Sequence, residues 1–253
     1  MPDYLNTFFF GVYPYIALAV MNLGSIIRYD REPYSWRSQS SQFLRKRQLM
    51  WGSNLFHIGI IFLFFGHFVG LLTPHAVYEH VISAENKQML AIVAGSIAGI
   101  ICFIGLTLLV HRRLTDPRIR GTSTTMDIAI LLILWVQLAL GLITVPFSLA
   151  HADGEVMLRL SEWAQRIVTF RIEGTAALVE GLAWPYQVHL ILGLTIFLLF
   201  PFSRLVHIWS VPVKYLARPG YQVVRTTNPE RPGGQAARPN GSAAEARPVQ
   251  PAE

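Results

Sequence analysis

Charged residues are scarce in this sequence, at 14% of 253 residues, against about 25% in soluble domains. Apolar residues make up 52%, and the mean hydropathy is +0.40. A folded domain of this composition would expose large apolar areas to water. The composition therefore excludes a soluble globular domain and indicates a protein that sits in the lipid bilayer.

Cysteine is almost absent as well, since Cys102 is the one cysteine of the sequence. A single cysteine excludes an internal disulfide and a cysteine-rich metal site. It also excludes covalent c-type haem attachment, which needs a C-x-x-C-H motif. We predict that Cys102 is a small apolar packing residue inside a membrane span. Any haem in this protein must then be held by ligation and packing alone.

Five stretches lack charged side chains, and each is long enough for the roughly 20 residues that cross a bilayer. Because backbone amides inside lipid must be paired within the chain, these stretches predict helices. A barrel would show shorter segments of alternating polarity. The sequence thus predicts an all-α membrane protein with five transmembrane helices. The predicted spans lie near residues 5–27, 51–72, 89–110, 127–147 and 184–206.

The basic residues predict the orientation of the helices. In chain order, the six segments outside the spans carry 0, 6, 1, 4, 3 and 4 Lys or Arg, where the last count runs to Arg225 and includes Arg204 at the end of the fifth span. This alternation predicts an N-terminus outside and a C-terminus in the cytoplasm. It also argues against a signal peptide, which has basic residues before its apolar core. The pI near 9.7 then reflects cytoplasmic loop charge and not a nucleic-acid surface.

Two segments outside the spans have a pattern of their own. Residues near 155–170 place apolar side chains at helical spacing and predict an amphipathic helix on the outer membrane surface. Residues 226–253 are rich in Pro, Gly and Ala without apolar periodicity, and predict a disordered cytoplasmic tail. The membrane domain is therefore expected to occupy residues 1–225.

Four histidines lie within or at the ends of the second and fifth predicted spans. Ionisable groups in the bilayer are rare and usually functional. Because the two spans run antiparallel, His57 and His207 come near the cytoplasmic end, and His67 and His189 lie toward the outer face. Two facing imidazoles at each level suit a six-coordinate haem iron, with one ligand on each side of the ring.

The spacing of these histidines agrees only partly with straight helices. Eighteen residues are five turns, so His189 and His207 share a face, whereas ten residues leave His57 and His67 roughly 80° apart. The helical rise separates the two pairs by about 27 Å and about 15 Å, respectively. We expect a kink at Pro201 to shorten the longer distance.

Glycines recur along the same two predicted spans. A flat macrocycle between helices needs backbone without bulky side chains, although plain helix packing also uses small residues. The glycines concerned are Gly52, Gly59, Gly66, Gly70 and Gly193.

Three other interpretations compete with haem binding. A membrane histidine can simply form a hydrogen bond to a neighbouring helix. A transporter with a histidine proton relay is a second possibility, but such relays usually include Asp or Glu, which the second and fifth spans lack. Transporters also carry internal repeats, and none is found in this sequence. An inert membrane anchor for other subunits would leave the histidines unexplained.

Six segments carry a family resemblance. They are F-F-F-G-V-Y-P-Y-I-A from Phe8, S-N-L-F-H-I-G from Ser53, G-H-F-V-G-L-L-T-P-H from Gly66, R-R-L-T-D-P-R from Arg112, W-A-Q-R-I-V-T-F from Trp163 and F-P-F-S-R-L-V-H-I-W-S-V-P-V from Phe200. From Tyr4 to about Arg225 the sequence closely resembles the gamma subunits of membrane-bound respiratory nitrate reductases, which are diheme cytochromes b.

The resemblance implies a bacterial inner-membrane subunit with two non-covalent b-type haems. It assigns His57 and His207 to the cytoplasm-proximal haem, and His67 and His189 to the distal haem. The family oxidises membrane quinol near the distal haem and passes electrons to an iron–sulfur beta subunit. That subunit feeds a molybdenum-containing alpha subunit, which reduces nitrate in the cytoplasm.

The resemblance also suggests roles for residues outside the ligand set. Lys87 matches a lysine implicated in the family's quinol site, whereas the sequence alone favours an interfacial snorkelling residue. Arg112 and Arg113 could contact haem propionates, or could be ordinary positive-inside charge. We expect residues 209–225 and the basic first loop to dock partner subunits.

Related cytochromes b are the closest alternatives to this assignment. They are the membrane anchors of formate dehydrogenase or hydrogenase and the membrane subunits of the heterodisulfide-reductase type. The electron acceptor that the partner subunit reduces would separate them from a nitrate reductase.

Overall fold

The computed structural model describes residues 3–36 and 44–210, and every regular element in these ranges is helical. Five helices are long and apolar enough to cross a membrane, which confirms the predicted all-helical fold with five spans. We call them spans one to five: Asp3–Arg31, Lys46–Leu72, Ala84–Thr115, Thr125–Ala150 and Trp184–Phe202. The predicted tail at 226–253 and residues 211–225 of the expected docking stretch lie outside the described residues.

Polar residues at their ends extend the first four spans beyond the predicted limits. Span three begins after Ser83, whose side chain accepts a hydrogen bond from the Asn86 amide. Span four begins with a capping box between Thr124 and Asp127, which satisfies two otherwise unpaired amides. The uncharged stretches therefore predict which part of each helix lies within the hydrocarbon, with the caps outside it.

The shorter helical elements join or interrupt the spans. Span one contains a π-helical turn at Phe8–Val12, and a 14-residue helix occupies Glu155–Val168. We call Glu155–Val168 the amphipathic helix; it buries Trp163 and Ile167 against the ends of the spans. Its position on the outer membrane surface remains a prediction from the charge distribution.

The spans pack in the order two, three, four, five, one. Spans two and three approach so closely that a Cβ on Gly59 would lie 2.5 Å from the Cys102 Cβ, and one on Gly105 would lie 2.3 Å from the Phe56 amide nitrogen. Cys102 is fully buried in this interface, which confirms its predicted packing role. Within the described ranges, spans two and five share no comparable interface.

Hydrogen bonds from side chains tie the helices together at one end of the bundle. Trp163 of the amphipathic helix donates to the carbonyl of Phe10 in span one, at 2.9 Å. Gln165, on the same helix, donates to the carbonyl of Leu71 at the end of span two, at 3.0 Å. The start of span one and the end of span two therefore lie at the same end of the bundle, as alternating crossings require.

Span five ends earlier than predicted. Its α-helix stops at Leu199, and a 3₁₀ turn at Phe200–Phe202 leads to extended backbone at Ser203. A second 3₁₀ segment, Arg204–Ser210, carries His207. The prediction of a kinked helix continuing to residue 206 is wrong, because Pro201 has no amide hydrogen to donate to the preceding turn. The five-turn count from His189 to His207 therefore does not apply.

Candidate functional site

The rings of His67 and His189 face each other from spans two and five. Their centroids are 6.4 Å apart, and the ring planes differ by 32°. His67 lies in the last two turns of span two and His189 in the second turn of span five, so the pair lies at the end of the bundle that the amphipathic helix covers. This brings together one of the two predicted histidine pairs.

The separation of these rings suits a metal atom between them. Imidazole nitrogens bind transition metals at about 2 Å, which places the centres of two opposed rings about 6 Å apart. The part of the chain that the structure describes holds no cluster of three or more His, Cys, Asp or Glu side chains, as a bare metal ion would need. Haem iron takes four nitrogens from its own macrocycle and needs only axial ligands. Paired histidines therefore fit a haem better than a bare ion.

Backbone carbonyls of their own helical segments orient three of the four histidines. The Nδ1 of His67 lies 2.7 Å from the carbonyl oxygen of Leu63, one turn earlier. His57 and His207 make the corresponding contacts to carbonyls four and three residues earlier, at 2.7 and 2.5 Å. A neutral imidazole that donates from Nδ1 keeps the lone pair of Nε2 available to a metal. In all three rings these contacts favour the tautomer that an axial ligand needs.

The structure does not bring His57 and His207 into ring contact. Within the described residues, the aromatic neighbour of the His57 ring is Phe56, with centroids 5.2 Å apart. His207 lies in the 3₁₀ segment beyond the end of span five and is half-buried. The pairing of these two histidines remains a prediction.

Two residues that sequence reasoning missed hold His189 in place. Gln137 of span four contacts both the backbone and the ring of His189, and Gly141, one turn later, leaves room for the ring. Gln137 is the one amide side chain in span four, and this isolated polar residue in an apolar helix is the sequence signal that could have identified it.

The glycines of span two fall into two groups. Gly52 and Gly59 serve helix packing, because a Cβ at either position would press against span three. Around Gly66 and Gly70, no described atom lies within 4 Å of an added Cβ. His67 is itself exposed in the isolated chain. The open face around His67 is therefore accessible to a flat molecule, whereas the first two glycines have an ordinary structural role.

Lys87 lies beside Tyr78, with its Nζ 3.5 Å from the centre of the tyrosine ring. The Lys87 ammonium and the Tyr78 hydroxyl are both buried, and neither has a hydrogen-bond partner among the described residues. Burial, with a smaller contribution from Glu79, raises the pKa of Tyr78. A snorkelling lysine would reach water, so the structure contradicts that interpretation. The buried donors leave hydrogen-bonding capacity for a ligand oxygen.

Arg112 and Arg113 both have protein partners. Arg112 is only 2% exposed and donates to the carbonyl of Leu44 at 2.6 Å. Arg113 donates to the Ser123 hydroxyl at 2.6 Å. These contacts fasten the segment before span two and the loop after span three to the end of span three, and the suggested contacts to haem propionates remain a prediction.

Arg28 of span one stabilises the break at the end of span five. It donates to the carbonyls of Pro201 and Ser203, at 2.6 and 2.8 Å. These carbonyls lie where the helical pattern stops, and the guanidinium supplies the donors that the broken helix lacks. Arg28 therefore fixes the start of the segment that carries His207.

Comparison with known proteins identifies the family. The family model described as "Nitrate reductase gamma subunit" matches residues 6–227. The chain is 54% identical to respiratory nitrate reductase 1 gamma chain of Escherichia coli K12, over 88% of this chain and 98% of that relative. It is 38% identical to the nitrate reductase gamma chain of Bacillus subtilis 168, over 85% of this chain and 96% of the relative. The chain belongs to the nitrate reductase gamma subunit family.

Proposed function

We propose that this chain is the quinol-oxidising diheme cytochrome b subunit of a respiratory nitrate reductase in the bacterial inner membrane. It takes electrons from membrane quinol near the outer face and delivers them to a cytoplasmic iron–sulfur beta subunit. A molybdenum-containing alpha subunit then reduces nitrate. Family membership supports this assignment over the anchors of formate dehydrogenase, hydrogenase or heterodisulfide reductase.

The facing rings of His67 and His189, 6.4 Å apart, are the observation that carries the proposal. We assign them to the distal b haem, and His57 and His207 to the cytoplasm-proximal b haem. When bound, the haems supply one-electron redox chemistry at potentials that ligand identity and burial adjust. The chain holds the rings of His57, His67 and His207 in the tautomer whose Nε2 can bind iron, because a backbone carbonyl accepts the Nδ1 proton of each ring.

Lys87 is the residue that we assign to the quinol. Its buried ammonium can donate a hydrogen bond to a quinol oxygen and stabilise the negative charge that develops as the hydroxyl proton leaves. Tyr78 limits the access of water to the ammonium. Lys87 lies in the first turn of span three, at the end of the bundle where span two carries His67, so the substrate would bind near the distal histidine pair.

The proposed orientation makes the reaction charge-separating. Oxidation of a quinol releases two protons and two electrons. If the protons leave at the outer face while the electrons move inward, each charge works against about 2.3 kcal/mol per 100 mV of membrane potential. The basic first loop and residues 209–225 are the proposed contact surface for the partner subunits.

A haem count in the assembled complex tests the proposal. The wild-type gamma subunit should contain two b-type haems in a pyridine haemochrome assay, and His67→Ala should contain one. His80→Ala is the matched control, since His80 is an exposed loop histidine outside the proposed ligand set. Absence of b-type absorbance in the wild type, or two haems retained in His67→Ala, would contradict the ligand assignment.

A further inference from the structure

Spans four and five pack through a reciprocal pair of side chains and glycines. The Gln137 side chain of span four lies against Gly193 of span five, where an added Cβ would be 3.1 Å from Gln137 Nε2. The His189 ring of span five lies against Gly141 of span four, where an added Cβ would be 3.1 Å from His189 Cε1. On both helices the glycine lies one turn after the polar residue. The small residues thus form matched recesses for the amide and the imidazole.

Hydrogen bonds reinforce this packing. His189 Nδ1 lies 3.2 Å from the carbonyl oxygen of Gln137, which can accept its proton. The Gln137 amide nitrogen donates to the backbone carbonyl of His189 at 3.0 Å and lies 3.4 Å from the Nε2 of the ring. Gln137 therefore contacts the backbone and the Nδ1 of one histidine, and its amide nitrogen lies beside the Nε2 that the proposed haem would take.

His189 differs in this respect from the other three histidines. Their Nδ1 atoms contact carbonyls of their own helical segment, three or four residues earlier, whereas the Nδ1 of His189 contacts a different span. The orientation of the His189 ring therefore depends on how spans four and five pack. A change at residue 137 or 141 can rotate this imidazole without altering span five itself.

Burial of the Gln137 amide is unfavourable in free energy, and helix packing alone does not explain why an amide is there. Its side-chain oxygen is buried and has no hydrogen-bond partner among the described residues. Burying an unpaired polar atom in an apolar environment is unfavourable, and a methionine of similar length would fill the same space without that cost. The amide is thus accounted for by its contacts with His189.

We propose that Gln137 and Gly141 are positioning residues that set the ring orientation of the distal haem ligand His189. This inference rests on the proposed function, because it assumes that His189 is an axial ligand. Partners beyond the first coordination shell orient a metal-bound imidazole and adjust its basicity. Gln137 and Gly141 should therefore influence the spectrum and midpoint potential of the distal haem, and not those of the proximal haem.

The test is Gln137→Met in the assembled complex, which removes the amide and keeps the side-chain length. We expect both haems to be retained, with a shifted low-spin g value and midpoint potential for the distal haem alone. Gln187→Met is the matched control: Gln187 lies two residues from His189, but its amide donates to the carbonyl of Leu182 at 3.0 Å. Selective loss of the distal haem in Gln137→Met would also support the positioning role.

Gly141→Ala provides a second test if Gln137→Met does not assemble. It leaves the amide in place and adds a Cβ that must displace the ring of His189 by a few tenths of an ångström. An unchanged distal-haem g value and potential in whichever variant assembles would overturn the inference. A failure of the proposed function itself would give a different result: if His189 is not a haem ligand, His189→Ala would retain two haems.

Discussion

At the scale of single residues, the site consists of polar groups that use part of their hydrogen-bonding capacity within the protein and leave the rest available. The His67 ring donates from Nδ1 to a carbonyl of its own helix, and the ring faces His189 of span five. Lys87 stacks on the ring of Tyr78 and has no hydrogen-bond partner among the described residues. A buried donor without a hydrogen-bond partner destabilises the protein. A bound molecule that accepts a hydrogen bond from such a donor therefore gains the most binding free energy there.

We predict that Lys87→Met weakens quinol binding without loss of haem. A hydrogen bond from a charged group contributes about 1.5–3 kcal/mol, which corresponds to an increase in the KM for quinol of about 10- to 150-fold. Steady-state kinetics with a soluble quinol analogue, together with the haem count, measure both quantities.

Glu85→Gln is the control for Lys87→Met, because Glu85 is an exposed neighbour in the same first turn. Unchanged quinol kinetics in Lys87→Met would remove Lys87 from the proposed site. Loss of haem from that variant would instead indicate a structural role.

At the scale of elements, close packing with span three positions the helix that carries His57 and His67. Gly59 faces Cys102 and the carbonyl of Ala98, so the two backbones approach without an intervening side chain. Since lipid is as apolar as a leucine side chain, such close van der Waals contact is what holds membrane helices together. Span two otherwise buries little of its surface within the chain.

We therefore predict that Gly59→Leu separates spans two and three and reduces the haem content at both sites. The new Cβ would lie 2.5 Å from the Cys102 Cβ and 2.8 Å from the Ala98 carbonyl oxygen, and overpacking of this kind costs about 1–3 kcal/mol or more. The measurements are thermal stability in detergent and haem content. Gly95→Leu is the control, because no described atom lies within 4 Å of an added Cβ there. Equal stability of the two variants would contradict the packing role of Gly59.

At the scale of the whole molecule, each end of the bundle is fastened by its own polar contacts. The amphipathic helix ties span one to span two near His67 and His189. At the opposite end, Arg28 holds the broken end of span five, and Arg204 pairs with Asp127 of span four at 3.3 Å. Burial lowers the pKa of Arg204, and the neighbouring Asp127 carboxylate acts in the opposite direction. The contacts that hold the segment with His207 are thus separate from the contacts near His67 and His189.

This separation predicts that Arg28→Gln affects one haem selectively. Removing the contacts to the Pro201 and Ser203 carbonyls should release the segment that carries His207, at a cost of about 1.5–3 kcal/mol for each charge-assisted hydrogen bond. We expect loss or a spectral shift of the proximal haem, with the distal haem retained, as measured by redox-resolved absorbance.

Arg31→Gln is the matched control, because Arg31 lies one turn later on the same helix with its side chain 80% exposed. Equal loss of both haems in Arg28→Gln would show that Arg28 supports the bundle as a whole. An unchanged proximal haem would show that the break in span five does not depend on Arg28.

The sequence alone was enough to predict the five spans and the four histidines that we propose as ligands, although not the end of span five. These features are local: a stretch of about 20 residues without charge must form a helix in lipid, and an imidazole within such a stretch is conspicuous whatever surrounds it. The packing of Gly59, the open face at Gly66, the burial of the Lys87 ammonium beside Tyr78 and the contacts of span four with His189 could not be predicted from the sequence. A membrane helix is apolar both on the side that faces lipid and on the side that faces protein. The spacing of its apolar residues therefore does not show which side contacts a neighbouring helix. The packed structure shows it.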